Sequence, residues 1–326
     1  MNKKINFSII IPNYNGDKFL PNCLESIETA IKETKDTNFE IIIVDNNSQD
    51  NSLQTIKEFA TNNQNLNLKY KITILPKNTG FAYAVNQGIN KAQYQYVVIY
   101  NNDLTIEKNW FQLMFKTIKE NKNPKITTFF GTVLNKKGDN FESQGIKYYY
   151  SGKADNISNG QKFNKQEFLK SKPKNKIIWG ASASIVIYKK DIIKKIGSFD
   201  SAFFAYEEDV DLALRLHNLN YKTLYIPQAI SYHLGGGTSK KMGNFRHRMD
   251  AKNWHYIIIK NYSLKEIIQN LPSIIEQRLR NMSGLIKNTP FYKIIPDLLT
   301  TYGQIIKNTP NMLKKRKKIQ KLIKSS

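Results

Sequence analysis

The chain has 326 residues, a formal net charge of +24 and one cysteine. That length supports one large domain or two, with a core that stands without staples, and the lone Cys23 excludes an intrachain disulfide. No stretch approaches the roughly 20 apolar residues of a membrane span, and Met1-Asn2-Lys3-Lys4-Ile5-Asn6 leads into strand-like sequence without a signal-peptide core, so the expectation is a protein of a reducing compartment, neither exported nor spanning.

β-Branched runs open the chain: Phe7-Ser8-Ile9-Ile10-Ile11, Glu40-Ile41-Ile42-Ile43-Val44, Ile72-Thr73-Ile74-Leu75 and Tyr96-Val97-Val98-Ile99-Tyr100. They read as buried parallel strands. Segments near 17–34, 51–62, 80–92 and 107–121 have helical spacing, so the succession is βαβαβα, a doubly wound α/β half-domain. Cys23, with no histidine near it in sequence, reads as a small core residue of the first helix. In such sheets a ligand binds beyond the carboxyl ends of the strands. Those ends read Pro12-Asn13-Tyr14-Asn15-Gly16, Asp45-Asn46-Asn47-Ser48, Pro76-Lys77-Asn78-Thr79-Gly80 and Asn101-Asn102-Asp103. One such loop would be an ordinary turn; four at one sheet edge point to a site.

Residues 125–175 mix Lys, Asn, Gly and Tyr, and the expectation there is irregular strands and a mobile loop. A second ordered block runs from Ile177-Ile178-Trp179-Gly180-Ala181-Ser182 through Ile185-Val186-Ile187-Tyr188 to Glu207-Glu208-Asp209-Val210-Asp211, a helix near 207–219 and a strand at 222–226. Adjacent carboxylates fit either a helix amino terminus or a reaction centre, and Asp211 with Arg215 fits a structural i,i+4 pair. Trp179 suits a sugar-stacking face or a core position equally. After His233, the loop Gly235-Gly236-Gly237-Thr238-Ser239-Lys240-Lys241 has bare backbone N–H groups and lysines suited to a diphosphate, without the spacing of a P-loop.

Taken in this order, these pieces over roughly residues 6–240 resemble the inverting glycosyltransferases of family 2, with a rhamnosyltransferase-like spelling at Asn101-Asn102-Asp103. The resemblance implies a GT-A fold: a Rossmann-like, mostly parallel α/β sheet flanked by helices. It implies a catalytic domain over 1–240, with a nucleotide-binding half to about 103 and an acceptor half after it, followed by a basic helical extension over 241–326. It places the donor nucleotide at Pro12, Asn13, Tyr14, Asn15, Asp45, Asn78, Gly80, Asn101 and Asn102, with the Asp45 carboxylate accepting from the pyrimidine base. It makes Asp103 and His233 ligands of a divalent metal, Mn²⁺ or Mg²⁺, Asp209 the catalytic base with Glu208 as its neighbour, and Trp179 and Gly180 part of the sugar and acceptor pocket. Asn101 stands where the commoner motif has an aspartate, which weakens the metal requirement.

The implied partners are a UDP- or dTDP-sugar, dTDP-rhamnose among them, and a cell-surface glycan or lipid-linked acceptor. Residues 241–326 hold 18 Lys and Arg against 4 Asp and Glu. Leu313–Lys324 has seven cations and no anion, interspersed with apolar residues, and reads as a helix on an anionic membrane surface, at about 1 kcal/mol per basic residue. A solvated basic tail is the plainer reading. The expected location is the cytoplasmic face of the membrane. Two other functions fit parts of the sequence: a nucleotidyltransferase, although the first loop lacks its Gly-, Arg- and Lys-rich signature, and a non-catalytic basic binder of anionic glycan or nucleic acid. Aromatic and basic residues are not interleaved as in a nucleic-acid motif, so no nucleic acid is expected.

Overall fold

The four apolar runs become strands β1 (Phe7–Asn13), β2 (Phe39–Asp45), β3 (Lys69–Ile74) and β4 (Tyr96–Tyr100) in a computed structural model that describes residues 4–62, 68–235 and 244–325. All of β2 and β4 and nearly all of β1 are buried, as strands covered on both faces must be, whereas β3 is half exposed at the sheet edge. Helices α1 (Leu20–Lys32), α2 (Ser52–Asn62), α3 (Phe81–Lys91) and α4 (Trp110–Glu120) follow them in alternation. Cys23 is fully buried on α1. The pairings β3–β2, β2–β1 and β1–β4 are all parallel.

Beyond β4 the chain forms β5 (Leu104–Ile106), β6 (Ile126–Asn135), β7 (Phe141–Ser143), β8 (Ile146–Tyr149), β9 (Lys153–Asn156) and α5 (Lys165–Lys170). Then come β10 (Lys176–Ile178), β11 (Ile185–Lys189), α6 (Lys190–Lys195), α7 (Glu208–Asn218) and β12 (Lys222–His233). The sheet order is β10-β12-β6-β11-β4-β1-β2-β3, with β5 on β12 and β7 on β6; β11 runs antiparallel between β4 and β6.

Two expectations need correction. Residues 126–135, read as irregular, are a central strand whose first nine positions are all buried. Its interior is partly threonine, which supplies β-branching without apolar signal; Thr132 Oγ1 donates to the Pro227 carbonyl at 2.7 Å. The last strand runs to His233 rather than 226: a bulge between Ile226 and Ile230 absorbs Pro227. Gly131 permits this, since a Cβ there would lie 2.2 Å from the Ala229 carbonyl oxygen.

Three helices complete the described chain: α8 (Phe245–Asn261), α9 (Leu264–Lys287) and α10 (Phe291–Lys324). A second apolar cluster joins Phe203, Val210 and Leu214 to Trp254, Ile257 and Tyr262, so α8 packs directly behind the acidic segment. Buried Lys260 bridges Asp200 and Asp211 at 2.8 Å each, and Lys315 reaches Asp200 at 2.6 Å. Asp211 also takes Arg215 at 2.7 Å, the expected i,i+4 pair. Most apolar residues around the basic tail are engaged inward: Met312 and Ile319 are buried, and Leu322 and Ile323 pack against the main core, while Leu313 is exposed. Among the described residues no helix is long and apolar enough to cross a membrane.

Candidate active site

A cleft of about 710 Å³ opens at the carboxyl ends of β1 and β4, lined by Pro12, Asn13, Tyr14, Asn78, Gly80 and Asn101-Asn102-Asp103. Glu142, Ser182, the stretch Phe204–Val210 and His233 line it as well. Residues separated by over a hundred positions thus face one space.

The donor-side loops are wired together by amides. Asn13 Nδ2 donates to Asp45 Oδ1 (2.9 Å) and Asn13 Oδ1 accepts from Asn102 Nδ2 (2.6 Å). Asn46 holds the next loop, donating to Asn78 Oδ1 (3.1 Å) and the Gly80 carbonyl (3.2 Å) and accepting from Thr79 N (2.8 Å). Gly80 has φ of 81°, and a Cβ there would lie 2.4 Å from the Phe204 carbonyl oxygen, so only glycine lets the donor loop meet the acidic loop.

Asp45 departs from expectation. It is fully buried and does not line the cleft; its oxygens are taken by Asn13, Ser48 Oγ (2.6 Å) and Ser48 N (3.0 Å). Its carboxylate thus holds the Asn13 side chain and the Ser48 turn at the edge of the cleft. Asn15 is also off the cleft wall, bracing the β2 loop through Gln49 N (2.8 Å). Trp179 stacks on Tyr148 at 4.6 Å and 6°, and the Gly180 carbonyl accepts from Ile146 N at 2.9 Å. Both belong to the packing behind the cleft, so the stacking face expected for a sugar is occupied by Tyr148.

Sheet register creates the candidate metal site. Antiparallel pairing sets His233 opposite Leu104, and Leu234 N donates to the Asp103 carbonyl at 2.8 Å. The His233 Nε2 atom consequently lies 3.1 Å from Asp103 Oδ2, while Nδ1 contacts Glu142 Oε1 at 2.5 Å. Burial opposes a charge on His233, but hydrogen bonds to Asp103 and Glu142 outweigh it and push the imidazole up to about 10. One carboxylate and one imidazole with a carboxylate behind it fit a hard divalent cation. The Asn101 side-chain oxygen is buried with no hydrogen-bond partner, and the residue lines the same cleft. Among the described residues no three His, Cys, Asp or Glu side chains hold an ion by themselves, so donor phosphates would have to complete the shell. Glu142 was missed in the sequence because it sits in the stretch that carried no readable pattern. Of the glycine loop only Gly235 is described; residues 236–241 lie outside the described residues.

The acidic segment is strained: Phe204, Tyr206 and Glu207 have φ of 68°, 67° and 63°. Buried Asn253 of α8 clamps it, donating to the carbonyls of Phe203 (3.2 Å), Ala205 (2.8 Å) and Tyr206 (2.7 Å). Asp209 lies in the first turn of α7, where Oδ2 accepts from Ala183 N (3.0 Å) and Oδ1 from Val210 N (2.8 Å). Burial raises the Asp209 carboxyl above its usual range although these N–H groups pull it back. Glu208 is raised further, by burial and by the charge of Asp209. Glu207 is raised by burial and by Asp250 of α8, which hydrogen-bonds to it. The cleft therefore holds a carboxylate of raised proton affinity together with the Asp103–His233 pair, residue types suited to proton acceptance and to cation binding.

Several known proteins are similar to this chain in sequence or fold. The poly-β-1,6-N-acetyl-D-glucosamine synthase of Staphylococcus epidermidis is 25% identical over 261 residues, covering 78% of this chain and 56% of the synthase, so the chain spans just over half of that relative. A dolichyl N-acetyl-α-D-glucosaminyl phosphate 3-β-D-2,3-diacetamido-2,3-dideoxy-β-D-glucuronosyltransferase of Methanococcus voltae is 27% identical over 238 residues, covering 72% and 68% of the two chains. Among solved structures, S. aureus TarS 1–349 superposes with a TM-score of 0.57 at 15% identity, over 96% of this chain and 83% of that one. GalNAc-T7, solved with UDP, GalNAc and Mn²⁺, gives 0.58 at 15%, over 92% and 58%. These structures share the GT-A fold with this chain. The family description "Glycosyl transferase family 2" matches residues 8–197, more than half of the sequence, and the chain belongs to that family.

Proposed function

We propose that the protein is an inverting glycosyltransferase that moves a hexosyl or deoxyhexosyl group from a nucleoside diphosphate sugar to a cell-surface glycan or its lipid-linked precursor. The observation that carries this reading is the placement of Asp209 on one wall of a cleft whose other parts are the strand-end asparagines and the Asp103–His233 pair. Asp209 takes the proton of the acceptor hydroxyl as that oxygen attacks the anomeric carbon. The bond from that carbon to the diphosphate breaks on the opposite face, and the nucleoside diphosphate leaves with the bonding electrons. A Mn²⁺ or Mg²⁺ held by Asp103 and His233 would supply positive charge to that leaving group. Asn13, Asn102 and Tyr14 border the nucleoside, with Asp45 fixing Asn13, and Glu208 keeps a second proton-binding group beside the base.

The donor is a UDP- or dTDP-sugar. The Asn101-Asn102-Asp103 spelling points to dTDP-rhamnose, whereas TarS has been solved with UDP-GlcNAc, which keeps UDP-N-acetylhexosamines in view. The catalytic unit is residues 1–240, and the enzyme works at the cytoplasmic face of the membrane, the cations of 313–324 toward the anionic leaflet. Thermal stabilisation by UDP, dTDP, GDP and CDP, each with and without Mn²⁺, tests the reading on wild type and Asp103→Ala. Stabilisation by one pyrimidine diphosphate that needs both Mn²⁺ and Asp103 is expected. Indifference to every nucleotide would favour the basic-binder reading instead.

A further inference from the structure

The apolar residues that this protein leaves in water are concentrated on α9 and α10. On α9, Leu264, Ile268, Leu271, Ile275 and Leu279 are exposed at three- and four-residue spacing and Ile286 seven residues further on, one stripe along the helix, with Ile268 at 71%. After a three-residue connection the stripe resumes on α10 with Phe291 at 92%, followed by Tyr292, Ile295 and Leu299. These residues are not among those buried in the apolar cluster around α8, although Ile275 and Leu279 border a groove with Ile258 and Ile259 of that helix. Their number and continuity exceed the scattered apolar exposure of an ordinary surface.

We infer that the exposed α9–α10 face is an insertion surface for an anionic lipid bilayer, and that it, rather than the apolar residues of the basic tail, anchors the enzyme. Charge selects the occupant. Leu264–Lys324 carries 13 Lys and Arg against 3 Asp and Glu. Each of those anions is engaged within the protein: Glu266 caps α9 at Ser263 N (2.6 Å), Glu276 pairs with Arg280 (2.6 Å) and Asp297 pairs with Arg248 (3.3 Å). A second copy of the same face would bring like charges together, whereas an anionic leaflet offers both the counter-charge and the apolar layer. The tail contributes mainly its cations, since Ile319 is buried and Leu322 and Ile323 pack against the protein core, leaving only Leu313 of its apolar residues exposed.

This surface also connects to the cleft. Arg278 of α9 donates to the Gly152 carbonyl in the β8–β9 turn, and Ala154, Asp155 and Asn156 of that hairpin line the cleft. Docking at α9 would hold this wall of the cleft beside the leaflet. The inference thus deepens the lipid-linked reading of the acceptor and rests on it only for that purpose.

The test is flotation of the full chain with vesicles of phosphatidylglycerol and phosphatidylcholine, and with phosphatidylcholine alone. Wild type should float with the anionic vesicles and much less with the neutral ones. The triple variant Phe291→Gln, Ile295→Gln, Leu299→Gln should keep its melting temperature and its stabilisation by nucleotide, yet partition about tenfold or more weakly. Equal partition of variant and wild type overturns the inference. So does a wild-type dimer in light scattering that the variant converts to monomer, which would assign the face to a second copy. Nucleotide stabilisation is read on the same samples, so loss of vesicle binding alone leaves the catalytic proposal standing.

Discussion

Asn253 offers a quantitative probe of the link between the C-terminal helices and the acidic segment. Its side chain is fully buried and makes three hydrogen bonds to carbonyls of a strained segment, while its own Oδ1 has no partner. Its two amide hydrogens are shared among the three carbonyls, so Asn253→Ala removes about 2 kcal/mol of net hydrogen bonding and strands a buried carbonyl at a further ~1 kcal/mol. Deleting the unpaired oxygen returns on the order of 1 kcal/mol, so the expected destabilisation is about 2 kcal/mol, a shift of a few degrees in melting temperature. The catalytic effect should be larger than that. Three released carbonyls let the positive-φ residues before Asp209 relax, and a displacement of about 1 Å at a reacting group costs about 100-fold in rate. Chemical denaturation gives the stability, and kcat is compared at a temperature where both proteins are folded. A variant that is destabilised by 2 kcal/mol but turns over like wild type would refute the clamp as a positioning device. Unchanged stability would refute the hydrogen-bond geometry.

Glu142→Gln should weaken Mn²⁺-dependent nucleotide stabilisation by about 10- to 100-fold while leaving metal-free stability unchanged, because Glu142 acts on His233 from behind; titrations followed by thermal shift read this directly. Lys260→Met leaves Asp200 and Asp211 facing each other without their shared cation, and a loss of about 3–5 kcal/mol in denaturant unfolding is expected. The stabilisation from Asp200 and Asp211, whose folded-state carboxyls lie below the ordinary range although burial opposes this, because Lys260 outweighs it at Asp200 and Arg215 and Lys260 at Asp211, is present above the unfolded carboxylate pKa. It fades as pH falls through the lowered folded values. Acid unfolding of wild type should therefore begin lower than that of Lys260→Met.

Much of the donor half was legible because its signals are local. Buried parallel strands read as β-branched runs, and each strand end announces a turn with Asn, Asp or Gly. The metal pair could be named through the family resemblance, but the reason Asp103 meets His233 is a cross-strand register between β5 and β12, which no local pattern encodes. Threonine hid β6 because it buries without an apolar signature, and Pro227 hid the second half of β12 because a bulge, not a strand end, accommodates it. Asp45 and Trp179 show the limit in the other direction: residue type and position suit a binding role, but that Ser48 holds the Asp45 carboxylate and Tyr148 covers one face of Trp179 is visible only in the fold. Asn253 and Glu142 could not be found from the sequence, since an isolated Asn in a basic helix and a Glu in a Tyr- and Lys-rich stretch acquire meaning only through what they touch.

The central claim is that Asp209 is the base of a sugar transfer, and Asp209→Asn tests it most directly. The substitution keeps the side-chain shape and one acceptor oxygen for either the Ala183 or the Val210 N–H group, gives up the other of these two bonds, and removes proton affinity. Nucleotide affinity should stay near wild type while kcat falls about 10²- to 10⁴-fold, the usual range for a lost general base. The acid limb of the wild-type pH profile, expected above the ordinary carboxylate range because burial raises Asp209, should vanish with it. A variant that keeps turnover and the acid limb would contradict the account and move the base to Glu208 or to another group.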